Sequence, residues 1–172
     1  FVDICNGGEK ISLGSGVIVN DFAGLYGDEG GALNATLQIG DNVFIGAGTT
    51  LALTNGSITI KSGANLGSGC AVRSDEHTVI ENDVLVAAFC EIGKKHLDEK
   101  KQRRRSEISL KRKTTQIDRG CWIGVRAKIA GGVHIGKGTI VGAHTAVNTD
   151  LPDYGVAIGN PAKVLRKRYF ES

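Results

Sequence analysis

Residues 117–148 read IDRGCW IGVRAK IAGGVH IGKGTI VGAHTA VN, with Ile117, Ile123, Ile129, Ile135, Val141 and Val147 six residues apart without a slip. Ile, Leu and Val make up about a quarter of the chain, so such a run would arise by chance about once in several thousand starting points. Neither a helix nor a hairpin sheet has period six; a parallel β-helix of hexapeptides does, each unit supplying one short strand and one turn. Two residues before each aliphatic stand Cys121, Ala127, Val133, Thr139 and Thr145. They share its side of the strand and are small enough to share a narrow interior. The next residue after the aliphatic is Gly124, Ala130, Gly136 or Gly142 in most units, where we expect a corner that needs positive φ. Read backward, the metre continues with interruptions through Ile92, Val86 and Ile80, then Val72, Leu66 and Ile60, then Leu51, Ile45 and Ile39, and more loosely through Leu33, Val17 and Ile11.

Composition agrees with one domain of this kind. In 172 residues, 41% are hydrophobic but only 5% aromatic, which suits an interior that admits small aliphatics better than rings. No run of about twenty apolar residues is present, so no transmembrane helix is expected. No secretory signal is visible and the chain has no Met. Location is therefore read from the cysteines. Cys70, Cys90 and Cys121 each precede a repeat aliphatic by two, as buried core thiols would. Without a C-x-x-C pair or a disulfide pattern, they point to a reducing, cytoplasmic setting and to no metal. Charge is concentrated. Residues 93–116 hold ten Lys/Arg against three acids, a surplus of +7 in a chain of net +3, so the remainder carries −4. A second basic cluster, Lys163, Arg166, Lys167 and Arg168, lies near the end. Such fields attract anions. Few aromatics accompany them, which argues against nucleic acid.

The segment CWIGVRAKIAGGVHIGKGTIVGAHTAVNTDLPDYGVAIGNPAKVLRKRY resembles the C-terminal half of the left-handed β-helix acetyltransferases, in particular the galactoside, maltose, xenobiotic and polysaccharide-biosynthesis O-acetyltransferases. W-I-G after a loop, uninterrupted hexapeptides, D-x-P-x-Y and then G-N-P-A-K-V-x-R carry the resemblance, which extends from about Ile80 to Arg168. It implies an all-β, single-stranded left-handed parallel β-helix of about six coils, three hexapeptides to a coil. On that plan residues 1–38 form an irregular first coil, 39–92 coils, 93–116 an inserted basic loop, 117–149 regular coils and 150–172 a C-terminal tail. The extra residues after Leu51, Val72 and Ile92 then all follow the third unit of a coil and leave from one edge, where a site is expected.

The resemblance further implies transfer of an acetyl group from acetyl-CoA to a hydroxyl of a sugar or saccharide precursor. The motif resembling I-x-N-D-V-L-V-A is Ile80–Ala87, and the histidine following at the family's spacing is His96. Its neutral imidazole would take the proton of the acceptor hydroxyl as general base. Asp75 and His77, in the insertion one coil below, are the substrate-binding candidates. Trp122, Gly124, Ala143, Lys163 and Arg166 match coenzyme A contacts, the last two near its phosphates, with Trp122 read as lying near the exit of the basic loop. A homotrimer with sites between subunits is also implied. Asn148–Thr149 and Gly67 depart from the pattern, the latter where the galactoside enzymes hold an acceptor-binding asparagine. N-acetylation of a nucleotide-linked amino sugar stays open. The same fold hosts γ-type zinc carbonic anhydrases, but His77, His96, His134 and His144 lack the spacing for three convergent ligands. A non-catalytic scaffold would have no need of the G-N-P-A-K ending.

Overall fold

A computed structural model describes residues 3–5, 10–26, 35–53, 56–74, 77–94 and 114–168. All regular structure among them is strand. After β1 (Asp3–Cys5), six coils follow, each of three short strands. They are β2 (Lys10–Leu13), β3 (Ile18–Val19) and β4 (Gly24–Tyr26); β5 (Thr36–Ile39), β6 (Phe44–Ile45) and β7 (Thr50–Leu53); β8 (Ser57–Ile60), β9 (Asn65–Leu66) and β10 (Ala71–Ser74). Then come β11 (His77–Ile80), β12 (Leu85–Val86) and β13 (Glu91–Lys94); β14 (Thr114–Ile117), β15 (Trp122–Ile123) and β16 (Lys128–Ala130); β17 (His134–Ile135), β18 (Ile140–Val141) and β19 (Ala146–Val147). Each strand from β1 to β16 pairs in parallel with the strand three places on, giving three sheets that we call the first, second and third faces in the order they follow β1. The coil is left-handed.

The six-residue metre becomes three vertical columns. Ile39, Ile60, Ile80, Ile117 and Ile135 stack on the first face, and Ile45, Leu66, Val86, Ile123 and Val141 on the second. Leu51, Val72, Ile92, Ile129 and Val147 stack on the third. All are buried and form one core. Burying a side chain of this size contributes about 1.5–3 kcal/mol, and each column repeats the gain once per coil. The residue two before each aliphatic is also inward. At two of these positions a threonine bonds a carbonyl of the next coil: Thr49 Oγ1 donates to Gly67 O (2.7 Å) and Thr139 Oγ1 to Pro152 O (2.6 Å). Cys70, Cys90 and Cys121 fill the same positions as free, buried thiols.

Two expectations change. The first triplet is Leu13, Val19 and Leu25, in register with Ile39, Ile45 and Leu51, and Leu33 lies outside the described residues. Ile11 and Val17 sit two residues earlier, on the same side of the strand, where the secondary inward position is easily mistaken for the primary one. Residues 10–26 thus form a regular coil. At the other end, Leu151 bridges to Ile135, and β20 (Gly155–Ile158) pairs with β18. The expected tail begins as a seventh partial coil before β21 (Lys163–Lys167) folds back antiparallel on β20.

The corners also differ. Gly124, Gly136 and Gly142 do not have positive φ. That conformation falls three residues before the inward aliphatic, at Gly48, Gly69, Gly120 and Gly138, and at Phe22, Asn42, Asp83, Phe89, Arg126, His144 and Tyr154. The glycines after the aliphatic are required by coil stacking instead. A Cβ on Gly124 would stand 2.6 Å from the Ala143 nitrogen of the coil above, closer than bonded neighbours in a sheet permit.

Candidate active site

Three edges join the three faces, and the chemistry-bearing residues fall on two of them. The edge between third and first faces is where β7 passes to β8, β10 to β11 and β13 to β14, so the insertions do leave from one edge. His96 and Asp75 lie outside the described residues, as does the basic loop between Lys94 and Thr114. His77 opens β11 on this edge. Its ladder partners are Ser57 below and Thr114 above, and its Nδ1 lies 2.8 Å from Ser57 Oγ. Gly93 turns β13 toward the loop at φ 83°, with the Arg73 carbonyl occupying the place of a Cβ. A glycine is required there both by the backbone angle and by lack of space.

The edge between second and third faces carries a groove of about 370 Å³ lined by Phe89, Glu91, Arg126, Lys128, His144, Ala146 and Asn160. Phe89, Arg126 and His144 occupy the same corner position in three successive coils, at φ 59°, 57° and 57°. Left-handed backbone costs a residue with a Cβ about 1–2 kcal/mol, and Gly69 and Gly48 avoid that cost at the same corner one and two coils before Phe89. The Arg126 guanidinium sits 5.7 Å over the Phe89 ring, and Lys128 pairs with Glu91 at 3.0 Å. The groove therefore presents two cations and one carboxylate, with an imidazole and an amide at its rim. An anion entering it would compete with Glu91 for Lys128.

Gly124 and the exposed Ala143 belong to the same corner in adjacent coils, next to the residues that line the groove. Trp122 projects outward, 51% exposed, from the second face. Since the loop departs from the third face, Trp122 is not near its exit within one chain; the second face lies opposite the edge that carries His77. Lys163 and Arg166 stand exposed on β21, at the margin of the second face, just beyond the Asn160 that reaches the groove. The chain thus gathers Gly124, Ala143 and the groove, sets Trp122 and the basic strand beside them, and keeps His77 on another edge. Arg126, Lys128 and Asn160 are not singled out by the sequence, and His144 is weighed there only as a zinc ligand. The signal is readable only once the structure shows which position is the left-handed corner: there three coils in a row hold a large side chain where glycine is favoured.

Other polar clusters are structural. His134 Nε2 bonds Asp118 Oδ2 at 2.8 Å on the first face, and Arg119 grips Asp83 with two bonds of 3.1 and 3.0 Å across the edge between first and second faces. No group of three or more potential metal ligands occurs among the described residues. Among the same residues no helix is long and apolar enough to cross a membrane. Burial pushes the Cys121 thiol up to about 11. Cys90 is pushed up as well, by its hydrogen bond with Cys70 and by burial.

Residues 114–149 match the family model described as bacterial transferase hexapeptide (six repeats). A probable acetyltransferase of Mycobacterium tuberculosis is 32% identical over 141 residues, covering 78% of this chain and 45% of that protein. A chloramphenicol acetyltransferase of Escherichia coli is 42% identical over 57 residues, 33% of this chain and 27% of the relative. The chain therefore spans less than half the length of these relatives. In three dimensions it resembles the N-acyltransferase AntD of Bacillus cereus, solved with dTDP and coenzyme A, at TM-score 0.69 and 18% identity over 92% of this chain and 84% of that one. It also resembles the polySia-specific acetyltransferase NeuO, at TM-score 0.64 and 17% identity over 100% and 88%. A hexapeptide-repeat acetyltransferase of Vibrio cholerae solved with acetyl-CoA matches at TM-score 0.60 and 22% identity over 77% and 70%. The chain is a hexapeptide-repeat left-handed β-helix whose sequence relatives are acetyltransferases.

Proposed function

We propose that this chain transfers an acetyl group from acetyl-CoA to a hydroxyl of a saccharide or saccharide precursor, with His96 as general base. The observation that carries the reading is the groove between second and third faces. It holds Arg126, Lys128 and Asn160 beside the Gly124–Ala143 corner, with Trp122 and the Lys163–Arg166 strand next to it. Cations and amide donors at one end suit a nucleotide's phosphates, and the exposed indole gives an apolar wall to an extended thiol arm. AntD and the Vibrio protein were solved with coenzyme A or acetyl-CoA, which supports the same donor here.

In this reading His96 removes the hydroxyl proton as the acceptor oxygen attacks the thioester carbonyl. The carbon–sulfur bond then breaks and the thiolate recovers the proton from the imidazolium. Asp75 and His77 hold the acceptor. The donor groove and the edge that carries His77 are different edges of one prism, so a second copy supplies the missing half, as in a homotrimer with sites between subunits. The basic loop adds attraction for an acidic acceptor. The buried free thiols support a cytoplasmic setting.

The test is thiol release from acetyl-CoA by the purified chain with a panel of sugar hydroxyl and amino acceptors, together with a zinc assay. We expect release with hydroxyl acceptors, a loss of about 10²–10⁴-fold in His96→Ala, and weaker acetyl-CoA binding in Arg126→Glu. Preference for amino acceptors would replace O- by N-acetylation. Stoichiometric zinc would overturn the transferase reading.

A further inference from the structure

The Ser57–His77 pair has a geometry that the general-base assignment does not use. His77 is fixed from three sides. Its backbone lies in a parallel ladder with Ser57 and Thr114. The next residue, Thr78, is buried and its Oγ1 donates to Arg73 O at 3.0 Å. Below, the Ser57 carbonyl accepts from the buried Ser74 Oγ at 2.8 Å, so the residue that contacts the ring is itself pinned. The ring is exposed, and its one hydrogen bond among the described residues joins Nδ1 to Ser57 Oγ at 2.8 Å. Nε2 faces away from that contact, at the edge from which the chain departs toward residues 95–113.

A serine hydroxyl has one proton to give and lone pairs to offer. When it donates to Nδ1, the neutral ring must carry its proton on Nε2, which is also the commoner tautomer of an unconstrained imidazole. A ring held so cannot take a proton at Nε2; it can only donate. We propose that His77 is the hydrogen-bond donor, through Nε2–H, to the carbonyl oxygen that becomes negative during acetyl transfer, and that Ser57 is the positioning residue that holds the ring in this tautomer. This rests on the transferase reading and replaces the acceptor contact given there to His77: His96 accepts the acceptor's proton, Asp75 holds the acceptor, and His77 stabilises charge on the thioester oxygen. As the acceptor oxygen bonds to the carbonyl carbon, the carbonyl π pair moves to that oxygen, where Nε2–H meets it. The pair returns as the carbon–sulfur bond breaks. His77 neither gains nor loses a proton.

Long-range ¹H–¹⁵N NMR of the ¹⁵N-histidine-labelled full chain reads the tautomer directly. We expect the Nε2–H form in the wild type, a mixture in Ser57→Ala, and recovery in Ser57→Thr. Thiol release from acetyl-CoA with water as acceptor reads the role. An oxyanion donor contributes on the order of 10²–10³ in rate, so His77→Ala should lose about 100-fold. His77→Gln, whose amide can still donate, should stay within about tenfold of wild type. A ring protonated on Nδ1, or His77→Gln as impaired as His77→Ala, overturns the donor role and makes His77 a base. If the wild-type chain releases no thiol above the spontaneous rate with water or any acceptor, the transferase reading itself fails and this role with it. Release that is insensitive to His77→Ala defeats the role alone.

Discussion

At residue scale, the column two before the third-face aliphatic shows how the interior treats polar atoms. Thr49, Cys70, Cys90, Ala127 and Thr145 stack there. Thr49 Oγ1, Cys70 Sγ and Cys90 Sγ each donate to a carbonyl of the coil above, at 2.7, 3.1 and 3.1 Å. A thiol therefore acts as a weaker hydroxyl. Cys90→Ser should fold with little loss, whereas Cys90→Asp, which buries a charge, should not fold. Cys121 makes a sharper prediction. Its folded value of about 11 lies above its ordinary 9.0, so the unfolded chain ionises first as pH rises. The stabilisation is complete below pH 9 and is lost progressively toward pH 11, to roughly 3 kcal/mol. Urea titrations from pH 7 to 11 should show a slope of this sign, shared with the likewise raised Cys90, and Cys121→Ser should reduce it. Arg126 tests the opposite bargain. Arg126→Gly removes a left-handed backbone cost of about 1–2 kcal/mol but adds backbone entropy of about 0.5–1 kcal/mol to the unfolded chain. Stability should hold or rise slightly while acetyl-CoA affinity falls; a loss of stability above about 1 kcal/mol would make the residue structural.

At the scale of one strand and its turn, two kinds of glycine recur and the sequence does not separate them. Gly120 has φ 69° with no atom within 4 Å of the place for a Cβ, whereas Gly124 faces the backbone of the next coil at 2.6 Å. Ala at Gly120 should cost about 1 kcal/mol, the left-handed term alone. Ala at Gly124 should cost about 1–3 kcal/mol from overpacking, and should also part β15 from β18. Chemical denaturation of the two variants under one condition gives the comparison, and equal losses would contradict the stacking account. The sequence alone points to the wrong glycines because one six-letter unit can hold both, one directly after an aliphatic and the other three residues before the next. Only the register between coils shows which one meets a neighbour. The same ambiguity moved the first triplet from Ile11 and Val17 to Leu13 and Val19, since positions two apart on a strand share a side.

At the scale of the whole molecule, the separation of the donor groove from the His77 edge predicts assembly. The proposed trimer should elute and scatter as three 18.1 kDa chains. Mixed oligomers of His96→Ala and Arg126→Glu should regain activity that neither variant shows alone, because one interface would unite an intact base with an intact groove. Failure of such mixing to restore thiol release would place both halves of the site in one chain. Most of the fold was legible from residues 117–148 because each column residue repeats at a fixed spacing and each coil contacts only its neighbours, so a local pattern propagates to the whole prism. The edge that gathers the insertions was legible for the same reason: it follows from counting. The groove was not. Phe89, Arg126 and His144 are separated in sequence by the 95–113 insertion and by a full coil, and no spacing rule marks a corner side chain as facing a cavity. By itself, then, the sequence determined the period, the core columns and the edge where the chain leaves the prism, since these depend on inward side chains of known size. The tertiary structure alone decided which corner carries the groove, which glycines pack against a neighbouring backbone and that Ser57 holds His77. Those facts depend on distances between coils, and residues meet across coils only after the stacking register is set.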